Sequence, residues 1–420
     1  MRCATVVVMS SLVWTCCSGE PELSGTPRSV QPPEKTLLYD TARLIAHIEP
    51  DAVGELGTRF LAQGERGIQE FVVLTEDEFY SYFLVYDLAS GEVVDSIFGR
   101  EGEDFSSARF EGVTHDGLAK YFSKGLLLTI DLRNLHTSRR DIRSYFLREM
   151  SQIDDAYYAI ESSVYRERNH VDLYNIEVST MDTSYIMRMA RDPGSGRAAF
   201  SAVQEVRFDS RRSLVGFMAY YDFPADRPVS VPFRYDLDRQ KLVWRQDYPP
   251  DNPSFAVADL VVIDTVVVVR SAWSAIGYHI EDGRELWRWD NDRANSSAWA
   301  SPMSTFGDLA YWLTDGTEGA AGTYGINAHT GEIDFYAELP IAGGSFQNQR
   351  FRDCIIFHSE SSGAVARFDP AAGVYTHLLT SPSTKPQTWF NLSGFWVDEV
   401  NGTLSLHDNE DLYVYDISDW

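Results

Sequence analysis

His279-Ile280-Glu281-Asp282-Gly283-Arg284-Glu285-Leu286-Trp287 reads as the end of one strand, a tight turn and the start of the next. An Asp-Gly pair accommodates the positive φ that such a reversal needs, and apolar residues resume beyond it. The phrase recurs. Asn327-Ala328-His329-Thr330-Gly331 closes at Phe335, and Asp236 runs to Trp244 with Gln240 where glycine would sit. Asp87 to Gly91 and Asp369 to Gly373 keep the register with degenerate closing positions.

The opening positions are Asp87, Asp131, Asn175, Asp236, His279, Asn327, Asp369 and Asp416, at intervals of 44, 44, 61, 43, 48, 42 and 47 residues. A four-stranded propeller blade takes about 40–50 residues. Each interval therefore reads as one blade, with one insertion between Asn175 and Asp236. Leu173-Tyr174-Asn175-Ile176 lacks a turn glycine, and Asp131-Leu132-Arg133-Asn134 runs into a longer polar stretch. The 105 residues from Asp131 to Asp236 still suit two blades better than one. The expectation is an all-β chain forming a β-propeller of eight four-stranded blades, or seven if the Asn175 copy is false. Trp420 lies four residues after Asp416, so the last unit lacks its final strand. The apolar segment from Ala42 to Ile48 is expected to complete that blade and leave no open edge. Residues 37–420 then form one propeller domain.

Composition agrees. Aromatics make up 13% of the 420 residues, and strand-like runs such as Leu260-Val261-Val262-Ile263 and Val266-Val267-Val268-Val269 alternate with turn clusters. The best exception is the charged stretch from Thr137 to Met150, which reads as a helical turn or a loop.

The N-terminus reads as separate from the fold. Ala4 to Trp14 is a short apolar run, followed by Cys16-Cys17-Ser18-Gly19 and a Pro/Ser/Glu-rich stretch from Glu20 to Lys35. The order resembles a bacterial lipoprotein signal, departing from it at Trp14. The resemblance implies a signal over 1–16, lipidation at Cys16 (alternatively Cys17) and a flexible tether over 17–36. Localisation would then be the cell envelope, lipid-anchored; a cleaved secretory signal is the alternative. The remaining cysteine, Cys354, reads as a small buried hydrophobe.

The net charge of −26 disfavours nucleic acid and polybasic membrane attachment. It suits solubility and cationic or neutral partners.

The nine-residue phrase resembles the repeat of the pyrroloquinoline-quinone-type β-propellers, Asp-Ala-x-Thr-Gly-x-x-x-Trp, best at His279 to Trp287 and Asn327 to Phe335. The family includes quinoprotein dehydrogenases and a lipoprotein subunit of the outer-membrane β-barrel assembly machinery, both eight-bladed. The resemblance implies Gly91, Gly283, Gly331 and Gly373 as turn residues, with Trp244, Trp287 and Phe335 packing between blades. Ile97-Phe98-Gly99-Arg100-Glu101-Gly102-Glu103 also resembles a segment of exported six-bladed lipoproteins. The dehydrogenase chemistry does not carry over: the only adjacent cysteines, Cys16-Cys17, lie outside the ring, and no Cys-x-x-Cys-His is present.

No Gly-x-Ser-x-Gly, His-Glu-x-x-His or Gly-x-x-x-x-Gly-Lys motif occurs. The nine histidines are scattered, and Asp408-Asn409-Glu410-Asp411 offers calcium-compatible oxygens without the spacing of a calcium loop. No cofactor is expected; calcium stays open and a quinone is disfavoured. Trp287-Arg288-Trp289, with Trp273 and Trp299 nearby, combines residue types common at interfaces. Inter-blade packing is the competing reading, since Trp287 and Trp289 share one strand face. Two functions follow from different classes: a non-catalytic module binding another protein, or an exported enzyme (lyase, hydrolase or quinone-dependent dehydrogenase) working at the central channel mouth.

Overall fold

The computed structural model describes residues 42–47, 55–63, 65–74, 79–98, 109–113, 118–123, 126–131, 134, 136–141, 147–153, 156–161, 170–177, 183–190, 195–222, 227–246, 257–271, 274–290, 303–314, 322–338, 346–359, 365–379, 395–408 and 411–420. The expected signal and tether, with Cys16 and Cys17, lie outside them, as do Trp273 and Trp299.

Among the described residues the strands form eight four-stranded sheets, each a run of antiparallel neighbours. In chain order the first seven fall within residues 55–98, 109–141, 147–190, 195–245, 257–290, 304–338 and 346–379. The eighth joins three strands of 395–416 to Ala42–His47, which pairs with Asp411–Asp416.

The middle strands explain why the sequence reads as unbroken apolar runs. In Val266–Ser271, Val267 and Val269 pack with Leu260, Ile276 and Tyr278 toward the fourth sheet, beside Val215, Phe217 and Trp244. Val266 and Val268 point the other way, into a cluster with Ala310, Trp312 and Ile326 of the sixth sheet. A strand covered on both faces needs apolar residues at every position, because neighbouring side chains alternate between faces. Cys354–Ser359 repeats the pattern: Ile355 and Phe357 join the sixth sheet's cluster, while Cys354 and Ile356 join the eighth sheet's. Cys354 is buried there with its thiol donating to the Phe351 carbonyl at 3.1 Å, and burial raises its pKa. A further cluster unites Tyr86 and Leu88 of the first sheet with Leu412 and Val414 of the eighth.

Seven of the eight opening positions are the last residue of a sheet's third strand, counting the eighth sheet from Phe395. Asn175 is the exception. Its strand, His170–Glu177, runs two residues further because no glycine stops it. The long interval before Asp236 is taken up by long strands, Ser195–Phe208 and Arg211–Asp222, the first carrying two register shifts. The stretch from Thr137 to Met150 is neither helical nor wholly loop: Thr137–Asp141 is the outer strand of the second sheet, and Leu147–Ile153 begins the third.

Each turn is built alike. The N–H groups of Gly91, Gly283, Gly331 and Gly373 donate to the carbonyls of Asp87, His279, Asn327 and Asp369, each at 2.8 Å. At Asp87, Asn327 and Asp369 the opening side-chain oxygen also accepts the next free N–H groups, as Asn327 does from His329 and Thr330 at 2.9 and 3.1 Å; in the turn opened by His279, Asp282 accepts from the Arg284 N–H at 3.0 Å instead. At Asp87, the Ser90 N–H and hydroxyl hold the carboxyl below its ordinary pKa. Gly331 has φ +73, and a Cβ there would lie 2.6 Å from the Trp287 ring of the preceding sheet. Gln240 holds φ +50 with a side chain in place.

These differences separate strain from crowding. Gly307, at φ +54, has nothing within 4 Å of a Cβ, so Gly307→Ala should cost only the left-handed penalty of about 1–2 kcal/mol. Gly331→Ala should cost more, about 2–5 kcal/mol, because overpacking adds to the same penalty. Gln240→Gly should instead stabilise by about 1 kcal/mol. Urea denaturation of the three variants checks the order; equal losses for the two alanine variants would show that Trp287 moves aside freely.

Candidate functional site

The joints between sheets must be placed first, because they occupy many of the polar and aromatic groups a site would need. Trp244, Trp287 and Phe335 each close one phrase, and each lies against the turn glycine of the next: Gly283, Gly331 and Gly373. The Trp244 indole N–H donates to the Ile280 carbonyl at 2.7 Å, and that of Trp287 to the Ala328 carbonyl at 2.6 Å. Gly277 and Gly325, cross-strand from Trp287 and Phe335, leave room for the rings. His377 stands at the closing position of the Asp369 phrase and stacks on Trp420, ring centroids 5.2 Å apart.

A second set of joints runs along the first strands. Gln204 donates to the Leu260 carbonyl at 2.8 Å, and Asp259 accepts from the Met303 N–H at 2.5 Å. Ser304 donates to Asn348 at 3.2 Å, and Gln349 accepts from the Val397 N–H at 2.6 Å. Each bond reaches from one sheet to the next.

Ionisable groups sit close behind this belt. Asp259 is the cross-strand partner of Arg270, which is buried with its guanidinium 5.9 Å from the Trp312 ring centroid. Loss of solvent brings Arg270 down to about 10, so it remains a cation at neutral pH. The same loss raises the Asp259 carboxyl, opposed by the Met303 N–H, Arg270 and the Leu260 N–H. His358 is fully buried against Phe395, ring centroids 5.1 Å apart, and burial brings its pKa down to about 3. An imidazole so placed is neutral in the folded protein across the physiological range.

Of the sequence-predicted interaction residues, Trp289 is half-buried, edge-on to Trp312 at 5.7 Å and tilted on Tyr324 at 5.3 Å. Arg288 is exposed and forms a two-point ion pair with Glu285, at 3.2 and 2.9 Å. Asp408 and Asp411 are register partners at the ends of two paired strands of the eighth sheet.

Sequence reasoning missed two surface features. The outer strands carry exposed apolar pairs: Val93 and Val94 are 50% and 47% exposed, Leu242 and Val243 36% and 40%. Valine and leucine in a strand read as core, and only the position of these strands at sheet edges reveals otherwise. Separately, Asp264, Asp308 and His329 converge from three turns with metal-ligand spacing. The available signal was the repeat itself: Asp264 and Asp308 are 44 residues apart, one interval of the phrase.

No protein-family model matches the chain, and no curated protein sequence does. Solved structures do. Saccharomyces cerevisiae Sqt1 superposes with a TM-score of 0.54 at 9% identity, covering 87% of this chain and 100% of that one. The dihydro-heme d1 dehydrogenase NirN does so with a TM-score of 0.52 at 13% identity, covering 92% and 79%. BamB from Moraxella catarrhalis gives 0.48 at 10% identity, covering 87% and 98%. Sqt1 and NirN are β-propeller proteins, and their likeness shows this chain to be an all-β propeller repeat protein.

The buried imidazole sets a pH dependence whose sign is fixed. The unfolded chain takes up a proton on His358 below about 6.5, and the folded chain does so only near 3. Stability from this group is therefore full above pH 6.5 and is lost as pH falls toward 3, by at most about 1.4 kcal/mol per unit. Urea denaturation from pH 4 to 7 should show a shallower acid loss in His358→Leu than in the wild type. Parallel curves would rule this histidine out as a source of acid sensitivity.

Proposed function

We propose that the eight sheets are the eight blades of a closed ring of pyrroloquinoline-quinone-type repeats, sealed by Ala42–His47. We propose further that it is exported, anchored through Cys16 or alternatively Cys17, and works as a non-catalytic module that binds another protein.

The observation that carries the binding reading is the pair of exposed apolar dipeptides on the outer strands. Successive residues of a strand point to opposite faces. Exposure of both Val93 and Val94, and of both Leu242 and Val243, therefore means that these edges are open to solvent on either face. Each outer strand also has one side without a pairing strand in its own sheet. Glu92, Asp95, Lys241 and Arg245 flank the apolar pairs and are exposed, which restrains indiscriminate edge-to-edge association. Such an edge accepts an extended segment of a partner by strand addition, with backbone hydrogen bonds giving affinity and the apolar side chains giving selectivity. The net charge of −26 favours a neutral or cationic segment. The polar residues Gln204, Asp259, Ser304 and Gln349, bonded between neighbouring sheets, support a structural role for the first strands.

Two measurements test the reading. Photo-crosslinking from the position of Val94 or Val243 in intact cells should trap one defined protein, and Val243→Glu or Val94→Glu should abolish the corresponding adduct without lowering the melting temperature. Adducts spread over many proteins, or unchanged by the glutamates, would refute edge binding. The Cys16→Ala, Cys17→Ala double variant should move from the membrane to the soluble fraction; continued co-sedimentation would refute the anchor.

A further inference from the structure

Asp264 lies in the turn between the strands Val257–Ile263 and Val266–Ser271 of the fifth sheet. Asp308 lies in the corresponding turn of the sixth sheet, between Ser304–Phe306 and Leu309–Thr314, and His329 in the phrase turn that follows Gly322–Asn327. Three short reversals from two neighbouring sheets thus meet on one rim. The His329 Nε2 is 3.5 Å from Asp264 Oδ2 and 3.8 Å from Asp308 Oδ1. One ligand atom from each of the three lies within 4.8 Å of the others.

Those separations are informative because they are too long for hydrogen bonds, which run about 2.7–3.2 Å. They approach the ~3.4 Å edge of a tetrahedron whose metal bonds are about 2.0–2.1 Å. The site is held by backbone rather than by its own side chains. The Ala328 N–H donates to the Asp308 carbonyl at 2.8 Å, tying the phrase turn to the first turn of the same sheet. The His329 N–H donates to Asn327 Oδ1 at 2.9 Å. Two carboxylates and an imidazole nitrogen then face a common point across a sheet boundary, and a cation there relieves the repulsion between the carboxylates.

We propose that Asp264, Asp308 and His329 bind one divalent transition-metal cation of the zinc class, clamping the fifth sheet to the sixth. The imidazole nitrogen favours such borderline ions over calcium and magnesium, which prefer all-oxygen sets. All three residues are exposed. With three protein ligands, a tetrahedral ion keeps one position for water or for a donor group outside the chain. This assignment is independent of edge binding, because it concerns the turns of one rim and not the outer strands.

The test uses the full-length protein stripped with a chelator and titrated calorimetrically with Zn2+, Mg2+ and Ca2+ in turn. One equivalent of Zn2+ should bind, with Mg2+ and Ca2+ at least about tenfold weaker. Metal in excess of its dissociation constant should raise the melting temperature. His329→Ala and Asp264→Asn should each weaken Zn2+ binding at least about tenfold and remove the thermal shift. Asp308→Asn supplies the same readout if either variant fails to fold. His279→Ala, which alters the single-carboxylate contact with Asp282 at 3.5 Å, should bind as the wild type does. Bound Co2+ should give the visible absorption of a tetrahedral site only where His329 is present. Absence of Zn2+ binding, or binding that survives His329→Ala, would overturn the assignment and identify the triad as a surface ion-pair cluster.

Discussion

An aromatic ring seated on a glycine of the next repeat is the contact on which the rest of the architecture depends. Trp244 on Gly283, Trp287 on Gly331 and Phe335 on Gly373 make a chain of contacts from the fourth sheet to the seventh, in which the fifth and sixth are each both guest and host. The glycine serves two ends at once: its positive φ reverses the strand, and its missing Cβ admits the ring. The two indole N–H bonds to Ile280 and Ala328 then fix the neighbour in register and not merely in contact. A repeat cannot satisfy this geometry alone, which is the physical reason such units come in arrays.

The same dependence accounts for the polar belt along the first strands. Along the first strands, backbone groups of one sheet meet side chains of the next. Gln204, Asp259 and Gln349 bond to backbone groups of the following sheet, and Ser304 to a neighbouring side chain. Aromatic contacts on the fourth strands and amide or carboxylate bonds on the first strands fasten these consecutive sheets at two separate places. Rotation of one sheet against its neighbour would have to break both sets, so rigidity follows from the joints and not from any single core.

What the sequence disclosed follows from this physics. Turns were legible wherever glycine marked them, and the middle strands were legible because burial on both faces leaves unbroken apolar runs such as Val266 to Val269. Asn175 was placed two residues early because its turn has no glycine and the strand runs on. Thr137–Asp141 read as helix or loop because an outer strand is solvated, and Ser138 with its charged neighbours shows no apolar alternation. The surface features were illegible for another reason. Val93, Val94, Leu242 and Val243 have core composition, and only their edge position exposes them. Asp264, Asp308 and His329 are brought together by the stacking of sheets, which no local pattern encodes.

The joints also determine where such a fold can acquire chemistry. In the phrases opened by Asp236, His279, Asn327 and Asp369 the opening residue accepts a hydrogen bond of the turn, the next residue is buried or half-buried, the fifth reverses the chain and the ninth packs on the neighbour; the Asp87 phrase keeps the turn, but its ninth residue, Asp95, is exposed. Leu88, Ile280, Ala328 and Ile417 each donate their N–H to a carbonyl of the nearby first turn, and Leu237 to Arg212 just beyond it, so the second place is bound to the scaffold as well. The third and fourth places bond only within their own sheet, as Asp238 does in accepting the Arg212 N–H at 2.9 Å, and make no joint between sheets among the hydrogen bonds of the described residues. They are Ala89 and Ser90, Asp238 and Arg239, Glu281 and Asp282, His329 and Thr330, and Ala371 and Ala372, all exposed except half-buried Ala372. Their chemistry varies from repeat to repeat while the joint is kept, and each stands beside a turn of its own or an adjoining sheet. A substitution there changes what the rim presents without disturbing what holds the sheets together. His329 occupies such a place, and its carboxylate neighbours come from turns on either side of a joint that the aromatic contacts already hold in register.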